Sequence, residues 1–444
     1  NLQTLTDPNT GETRLINYLT QTMVSKENTI YIIQYDYDLN GQTIIVPNNS
    51  IILFEGGSIS NGTLNGDNTK IVSAITVIFI NIHIIGSWIV TNIYSDWFNN
   101  NETVLYNIAA LNNKAIQTNI YINSASYVNL DSFILNSNTN LILNSNIILK
   151  EQITDGKMVI SINNSNNITI SGSGKLIGYK DTSINTGEHS HGINIVSSSN
   201  ICIKGITIEK CVGDGIYIGG STTCSNIRIL DVTIDNVYRN GISLINEKQT
   251  IISNCIFRNI IGTDPQAAID IEPNSSTDIN DQILISNILI EGCKSGILSI
   301  GSNSKITNLT IRNFKIVSKD IAMFRPLLIG TTENTNIEEG ILDVITGNVY
   351  QAIVIQDTSN NTIIRGLNQK SNFAQACTIL SPCTIKDSNF DFSNGGALNI
   401  LSSNVTVDNV SIVSSGSPIS FASGIENIKV INSNLVDLRT TYTS

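Results

Sequence analysis

The sequence predicts an all-β chain wound as a right-handed parallel β-helix, a single-stranded solenoid with three parallel sheets and a short capping helix. Three observations lead there. A short strand motif returns every twenty-odd residues, two further strand columns keep step with it, and the composition is poor in charge but rich in Asn, Ser, Thr, Ile and Gly.

The first column reads small residue, Ile, any residue, apolar residue. Its copies are Gly192-Ile193-Asn194-Ile195, Gly215-Ile216-Tyr217-Ile218, Gly241-Ile242-Ser243-Leu244, Ala268-Ile269-Asp270-Ile271 and Gly296-Ile297-Leu298-Ser299, the last lacking the apolar fourth residue. Successive copies lie 23, 26, 27 and 28 residues apart. A period of that size marks a repeat that buries its apolar face only against its neighbours.

The second column reads Ile206-Thr-Ile-Glu209, Val232-Thr-Ile-Asp235, Cys255-Ile-Phe-Arg258, Ile288-Leu-Ile-Glu291 and Leu309-Thr-Ile-Arg312. The third includes Ile201-Cys-Ile-Lys204, Ile227-Arg-Ile-Leu230 and Ile283-Leu-Ile-Ser286. Three short strands per turn, with alternate residues inward, enclose one core. Helical solenoids need apolar residues at a period of 3.6, which this block lacks. The same texture continues through Ala397-Leu398-Asn399-Ile400 and Ile428-Lys429-Val430-Ile431.

Composition agrees. The 444 residues are 41% apolar, enough for a continuous core, and only 14% charged, where about a quarter is usual. Asn and Gly suit tight turns, and β-branched residues suit strands. The net charge is −11 with no Lys/Arg cluster, which argues against nucleic acid as a partner and mildly against a strongly anionic ligand. The seven cysteines (Cys202, Cys211, Cys224, Cys255, Cys293, Cys377 and Cys383) include no CxxC pair, and several sit in apolar strand patterns. They read as buried free thiols, not as a disulfide framework. No signal peptide is visible, so a leader was removed or export takes another route. The apolar run from Ile71 to Ile85 is broken by Ser73, Thr76, Asn81 and His83; it is too short to span a bilayer and reads as strand, so no membrane association is expected.

The front differs in texture. Residues 1–100 form a β-rich region, a partial solenoid or neck, ahead of the main β-helix at 101–444. The cassette Gly56-Gly57-Ser58-Ile59-Ser60-Asn61-Gly62-Thr63-Leu64 gives a turn and strand, and Trp88 and Trp97 lie near the region's end. Residues 103–114 give a short helix with Val104, Leu105, Ile108 and Leu111 on one face. A solenoid needs its first coil covered, and this helix is the expected cap.

Several segments resemble the pectate-lyase-like β-helix superfamily, in particular phage tailspike depolymerases and polygalacturonase-like proteins. Trp88, Tyr94-Ser95-Asp96-Trp97-Phe98, the 103–114 helix and Ile120-Tyr121-Ile122 to Tyr127 resemble the entry segment of such domains, with Asn99-Asn100-Asn101-Glu102 replacing the usual acidic, Gly-containing loop. Gly213-Asp214-Gly215-Ile216 resembles a coil motif, and Pro265-Gln266-Ala267-Ala268-Ile269-Asp270-Ile271-Glu272-Pro273-Asn274 resembles a tailspike segment. The cassette at 54–71 is similar to β-helix proteins of gut Bacteroidota and their phages. The resemblance implies a polysaccharide substrate, an extracellular, secreted or virion-surface location, and a homotrimer if the chain is a tailspike.

The candidate site lies on the first column. With Ile269 and Ile271 inward, Asp270 and Glu272 point outward, roughly 7 Å apart by Cα. Asp214 precedes the equivalent strand two coils earlier, an axial offset of roughly 10 Å at about 4.8 Å per coil. Asn194, Tyr217 and Ser243 share the Asp270 column, and His191 and Asn240 fall near that of Asp214, with Arg239 beside Asn240. Glycoside hydrolysis needs one carboxylic acid to protonate the leaving oxygen and one carboxylate to activate water, about 6.5–9.5 Å apart for inversion. Asp270 or Glu272 would be the acid, the other would place water, and Asp214 would be the base. His189, His191, Tyr217, Arg239, Asn240, Ser243 and Lys248 are candidate substrate contacts. The competing readings are plain ones. Asp214 between two Gly caps a turn, Asp270 and Glu272 sit on a solvated face, and Trp88 and Trp97 pack the cap junction in place of stacking on sugar.

No cofactor or metal is expected: Glu188, His189 and His191 make a weak metal site without a further ligand. The main alternative is a polysaccharide lyase, with Arg239, Lys248 or a His drawing a proton from a uronate and calcium as its possible cofactor. A non-catalytic carbohydrate-binding adhesin is the third reading. An esterase would need a nucleophile elbow, for which a β-helix supplies no strand-to-helix turn.

Overall fold

Inward rows of Ile, Leu and Val hold the structure together, and they stack along parallel sheets. The computed structural model describes residues 2–6, 13–99, 103–123, 126–129, 131–150, 155–182, 188–301, 304–318, 321–344, 351–371 and 377–439. Position 100, where composition suggested a change of region, and Asn100, Asn101 and Glu102 of the entry loop lie outside the described residues. Contacts divide the chain into two units: Asn1–Lys150 with Val159–Ser161 and Ser165–Lys175, and Glu151–Met158 with Ile162–Asn164 and Leu176–Ser444.

The first unit opens with an antiparallel pair, Leu2–Thr6 against Thr13–Tyr18. Parallel pairing then takes over, with Ile59–Val72 running beside Phe79–Trp88. Asn92–Tyr94, Thr118–Ile122, Thr139–Leu143 and Asn166–Gly172 stack in register as successive coils. The helix runs over Val104–Leu111, with Val104, Leu105, Ile108 and Leu111 buried. The buried Asn107 amide fastens it: Nδ2 donates to the Ile82 carbonyl at 2.7 Å, and Oδ1 accepts the Ile84 N–H at 2.9 Å. One side chain thus satisfies two main-chain groups of the Phe79–Trp88 strand, as a cap must. The helix stops before the expected residue 114 because Asn112 turns extended. Its Oδ1 accepts the Asn136 N–H at 3.0 Å and its Nδ2 donates to Thr139 Oγ1 at 2.9 Å, bonds that compete with a further helical turn. Trp88 and Trp97 are buried, and their indole N–H groups donate to the carbonyls of Ile85 and Ala74. Both pack, as the plainer reading held.

In the second unit each coil contributes to three parallel sheets. The first sheet stacks Ile193–Val196, Ile216–Gly219, Ile242–Leu244, Ala267–Ile271, Ser295–Ser299 and Arg325–Ile329 in register, and continues to Ile419–Phe421. Ser299, which breaks the apolar pattern, faces inward, and its hydroxyl is satisfied by the Gly330 carbonyl at 3.0 Å. The other two sheets follow the expected columns, with one correction. Leu309-Thr310-Ile311-Arg312 pairs with Ile283–Ser286, not with Ile288–Glu291, whose partners are Phe314 to Val317. Ile306–Val317 is one long strand bent at Asn313, so no turn separates the two columns there.

The bends account for the Asn content. Asn200, Asn226, Asn308, Asn334 and Asn361 all hold left-handed backbone, with φ between 51° and 61°, at the same place on their coils. Asn tolerates this conformation better than other residues with a Cβ. Stacked amides reward it: Asn226 donates to Asn200 at 2.8 Å and Asn361 to Asn334 at 2.7 Å. All seven cysteines are free thiols, and six are buried. Among the described residues, no helix is long and apolar enough to cross a membrane.

Candidate active site

The first sheet of the second unit places the site. Inward Ile216, Ile218, Ile242, Leu244, Ile269 and Ile271 fix the strands, so Tyr217, Ser243 and Asp270 form the outward row. Two residues before each strand, His191, Asp214 and Asn240 form a second row. Gly213 lets these rows close up. A Cβ there would lie 2.7 Å from the Glu188 carbonyl and 2.8 Å from His191 Nδ1, inside contact distance.

These residues surround a cavity of about 480 Å³ lined by Met158, Glu188, His189, His191, Asn194, Asp214, Tyr217, Arg239, Ile245, Glu272 and Asn274. Asp214 is fully buried. Its Oδ1 accepts from Arg239 Nη1 at 3.2 Å and from the Asn240 main-chain N–H at 3.1 Å. Arg239 Nη1 also reaches Oδ2 at 3.4 Å. Burial works against the Arg239 charge, but Asp214, Asp270 and Glu188 outweigh it and raise its pKa.

Asn240 joins the two carboxyls. Its Nδ2 donates to Asp270 Oδ2 and to Ser243 Oγ, each at 3.1 Å, and its Oδ1 accepts the Ala267 N–H at 2.9 Å. Asp270 is only 1% exposed, which corrects the expectation of a solvated outward face. Its neighbour in the next coil is Leu298, and Leu298, Leu328, Val354 and Ala267 make an apolar cluster beside it. Burial, then the charge of Glu272, push the Asp270 carboxyl up to about 8. Asp270 therefore keeps its proton to higher pH than an exposed carboxyl does.

His191 is buried and stacks on Tyr217, with ring centroids 5.0 Å apart. Its Nδ1 accepts the Asp214 main-chain N–H at 3.0 Å, so the neutral ring carries its proton on Nε2. Burial lowers its pKa against the pull of Asp214. His189 lines the cavity from the same loop.

Of the residues singled out from sequence, Asp214, Glu272, His189, His191, Tyr217 and Arg239 line the cavity, while Asp270, Asn240 and Ser243 form the buried layer bonded to them. Lys248 does not join them. It is exposed at the start of a third-column strand, in register with Ser225 and Asp281. Two contributors were not among the catalytic and substrate-contact residues chosen from sequence. Glu188, weighed there only as a weak metal ligand, brings its carboxylate to 3.8 Å from Arg239 Nε. Asp155 braces the loop from more than thirty residues away. It accepts the main-chain N–H groups of Glu188 (2.9 Å) and His189 (3.0 Å) and the Ser190 hydroxyl (2.9 Å). Partial burial opposes its charge, but the bonds from His189, Ser190, Glu188 and Gly156 prevail and hold it below the usual carboxylate range. No sequence pattern marks Asp155. Among the described residues, no group of three or more His, Cys, Asp or Glu is disposed to hold a metal ion.

No family model matches this sequence, and no curated protein matches it. Among solved structures, the chain is similar to the N-terminal fragment of bacteriophage phi29 gene product 12, with a TM-score of 0.53 and 18% identity over 71% of this chain and 61% of that one. It is also similar to the tailspike protein of E. coli bacteriophage HK620, solved with a pentasaccharide, with a TM-score of 0.50 and 13% identity over 71% and 72% of the two chains. The chain thus spans about 61% of the phi29 fragment. Together with the stacked coils, these likenesses identify the fold as a right-handed parallel β-helix.

Proposed function

We propose that the chain is a polysaccharide depolymerase working outside the cell, an inverting glycoside hydrolase that acts on a bacterial surface or gut polysaccharide in the manner of a phage tailspike. One arrangement carries the reading: Asp270, a buried carboxyl whose pKa is pushed up to about 8, lies two residues from a second carboxyl, Glu272, that faces a cavity. Asp270 would donate its proton to the leaving glycosidic oxygen. Glu272 would activate water from the opposite side of the sugar; Asp270 in the strand and Glu272 just past its end at Ile271, roughly 7 Å apart by Cα, suit the separation that inversion needs. The tailspike solved with a pentasaccharide lends support at the level of fold.

The sequence-based choice of Asp214 as base is set aside. Its Oδ1 is taken by Arg239 and Asn240, and Arg239 also lies against Oδ2. It serves better as a fixed negative charge beside a developing oxocarbenium ion. The lyase alternative is left with His189 as its candidate base. Arg239 is paired, Lys248 lies on another sheet, and the Nδ1 lone pair of His191 is occupied.

Incubation with capsular and cell-wall polysaccharides of gut Bacteroidota tests this reading. Hydrolysis predicts new reducing ends without ultraviolet absorbance. New ends that absorb would mean elimination, and an absence of new ends with retained binding would mean an adhesin.

A further inference from the structure

The charges around the cavity do not balance. Glu188, Asp214 and Glu272 bring three carboxylates to its lining, and Arg239 is the one Lys or Arg among the described lining residues. That cation is already committed, with Asp214 at 3.2 Å on one edge and Glu188 at 3.8 Å on the other. His191 is neutral, because its Nδ1 accepts the Asp214 amide. Lys248, the other cation expected here from sequence, is on a different sheet. Among the described lining residues no Lys or Arg is left over to receive a sugar carboxylate, and a uronate would face Glu272 in a lining that sets three carboxylates against one guanidinium, in a partly enclosed space where like charges repel more strongly than in water.

We infer that the cavity takes sugar units that carry no carboxylate and rejects uronates. The inference rests on the depolymerase reading and narrows its substrate to neutral glycans. The recognising chemistry fits: the indole-free lining offers Tyr217, Asn194 and Asn274, which pair with hydroxyl and amide groups of a sugar and need no opposite charge.

The test uses the full chain and a panel of bacterial surface polysaccharides, some neutral and some containing uronates. Each acidic polymer is supplied in two forms, native and with its carboxyls reduced to primary alcohols, which leaves every linkage in place. Release of reducing ends is measured at low salt. Neutral polymers should be cut, and an acidic polymer whose linkage fits should be cut on the order of a hundredfold faster after reduction. Cleavage of a native acidic polymer beside its uronate, at a rate equal to or above that of the reduced form, would overturn the inference while leaving the depolymerase reading intact. Cleavage of no polymer in either form would overturn the depolymerase reading, and the inference with it.

Discussion

Asn240 holds Asp270 at 3.1 Å through its side-chain amide while its own main-chain N–H holds Asp214 at the same distance. Two carboxyls separated by two coils are thereby tied into one buried network, and they are left in different surroundings. Asp214 faces the fixed positive charge of Arg239, whereas Asp270 faces Leu298 and Glu272.

Asp270→Asn should abolish release of reducing ends. Loss of a positioned proton donor costs typically 10²–10⁴-fold. Saccharide binding and the thermal transition should persist, because the amide keeps the bond to Asn240. Equal activity of the variant would remove Asp270 from the reaction.

The pH–rate profile should fall on the alkaline side near pH 8, as Asp270 loses its proton. With one negative neighbour removed, Glu272→Gln should move the alkaline fall of the residual activity to lower pH, because the charge of Glu272 contributes to raising Asp270. An alkaline limb that does not respond to Glu272→Gln would contradict the coupling.

The outward parity of Asp270 and Glu272 was legible, because period-two patterning fixes which residues leave the core. The burial of Asp270 was not, since Leu298, Leu328 and Val354 come from three later coils, and alternation in one strand says nothing of what covers it. Lys248 was misplaced for a related reason. It lies only five residues after Ser243, but the chain turns at Ile245 and Asn246, and the next strand belongs to another sheet. Leu309 was put in the wrong column because Ile306–Val317 bends at Asn313 without a Gly or Pro to mark the place. The helix was read one turn too long because the bonds that end it come from Asn136 and Thr139, more than twenty residues on.

Breaking the buried ion pair should cost stability. Arg239→Met leaves Asp214 buried and uncompensated, and such losses run to about 3–5 kcal/mol. The double variant with Asp214→Asn should recover much of that in chemical denaturation. Equal stability of Arg239→Met and the parent would show that the pair contributes nothing.

A second buried acid gives a pH signature apart from the site. Glu247 is fully buried, accepts from the Thr250 hydroxyl and from Asn280 Nδ2 (3.3 Å), and burial pushes it up to about 7 from an ordinary 4.5. The folded state holds this proton more tightly than the unfolded one. Stability from it is therefore complete below pH 4.5 and lost as pH rises toward 7, in all roughly 3 kcal/mol. Glu247→Gln should remove that slope from the pH dependence of unfolding; an unchanged slope would assign it to other groups.

Asp155→Ala should free the Glu188 and His189 amides, seen as faster hydrogen exchange there. kcat/KM should fall by about tenfold or more through misplacement of the loop, with the global unfolding midpoint little changed. Unaltered exchange at those amides would show that the loop holds itself.

The account depends most on a proton resident on Asp270 at neutral pH. A ¹³C titration of the side-chain carboxyls, with Asp270→Asn to assign the resonance, reads that proton directly. The account predicts a midpoint near 8 for Asp270. A midpoint in the ordinary carboxylate range near 4 would leave the site without its acid and would contradict the mechanism.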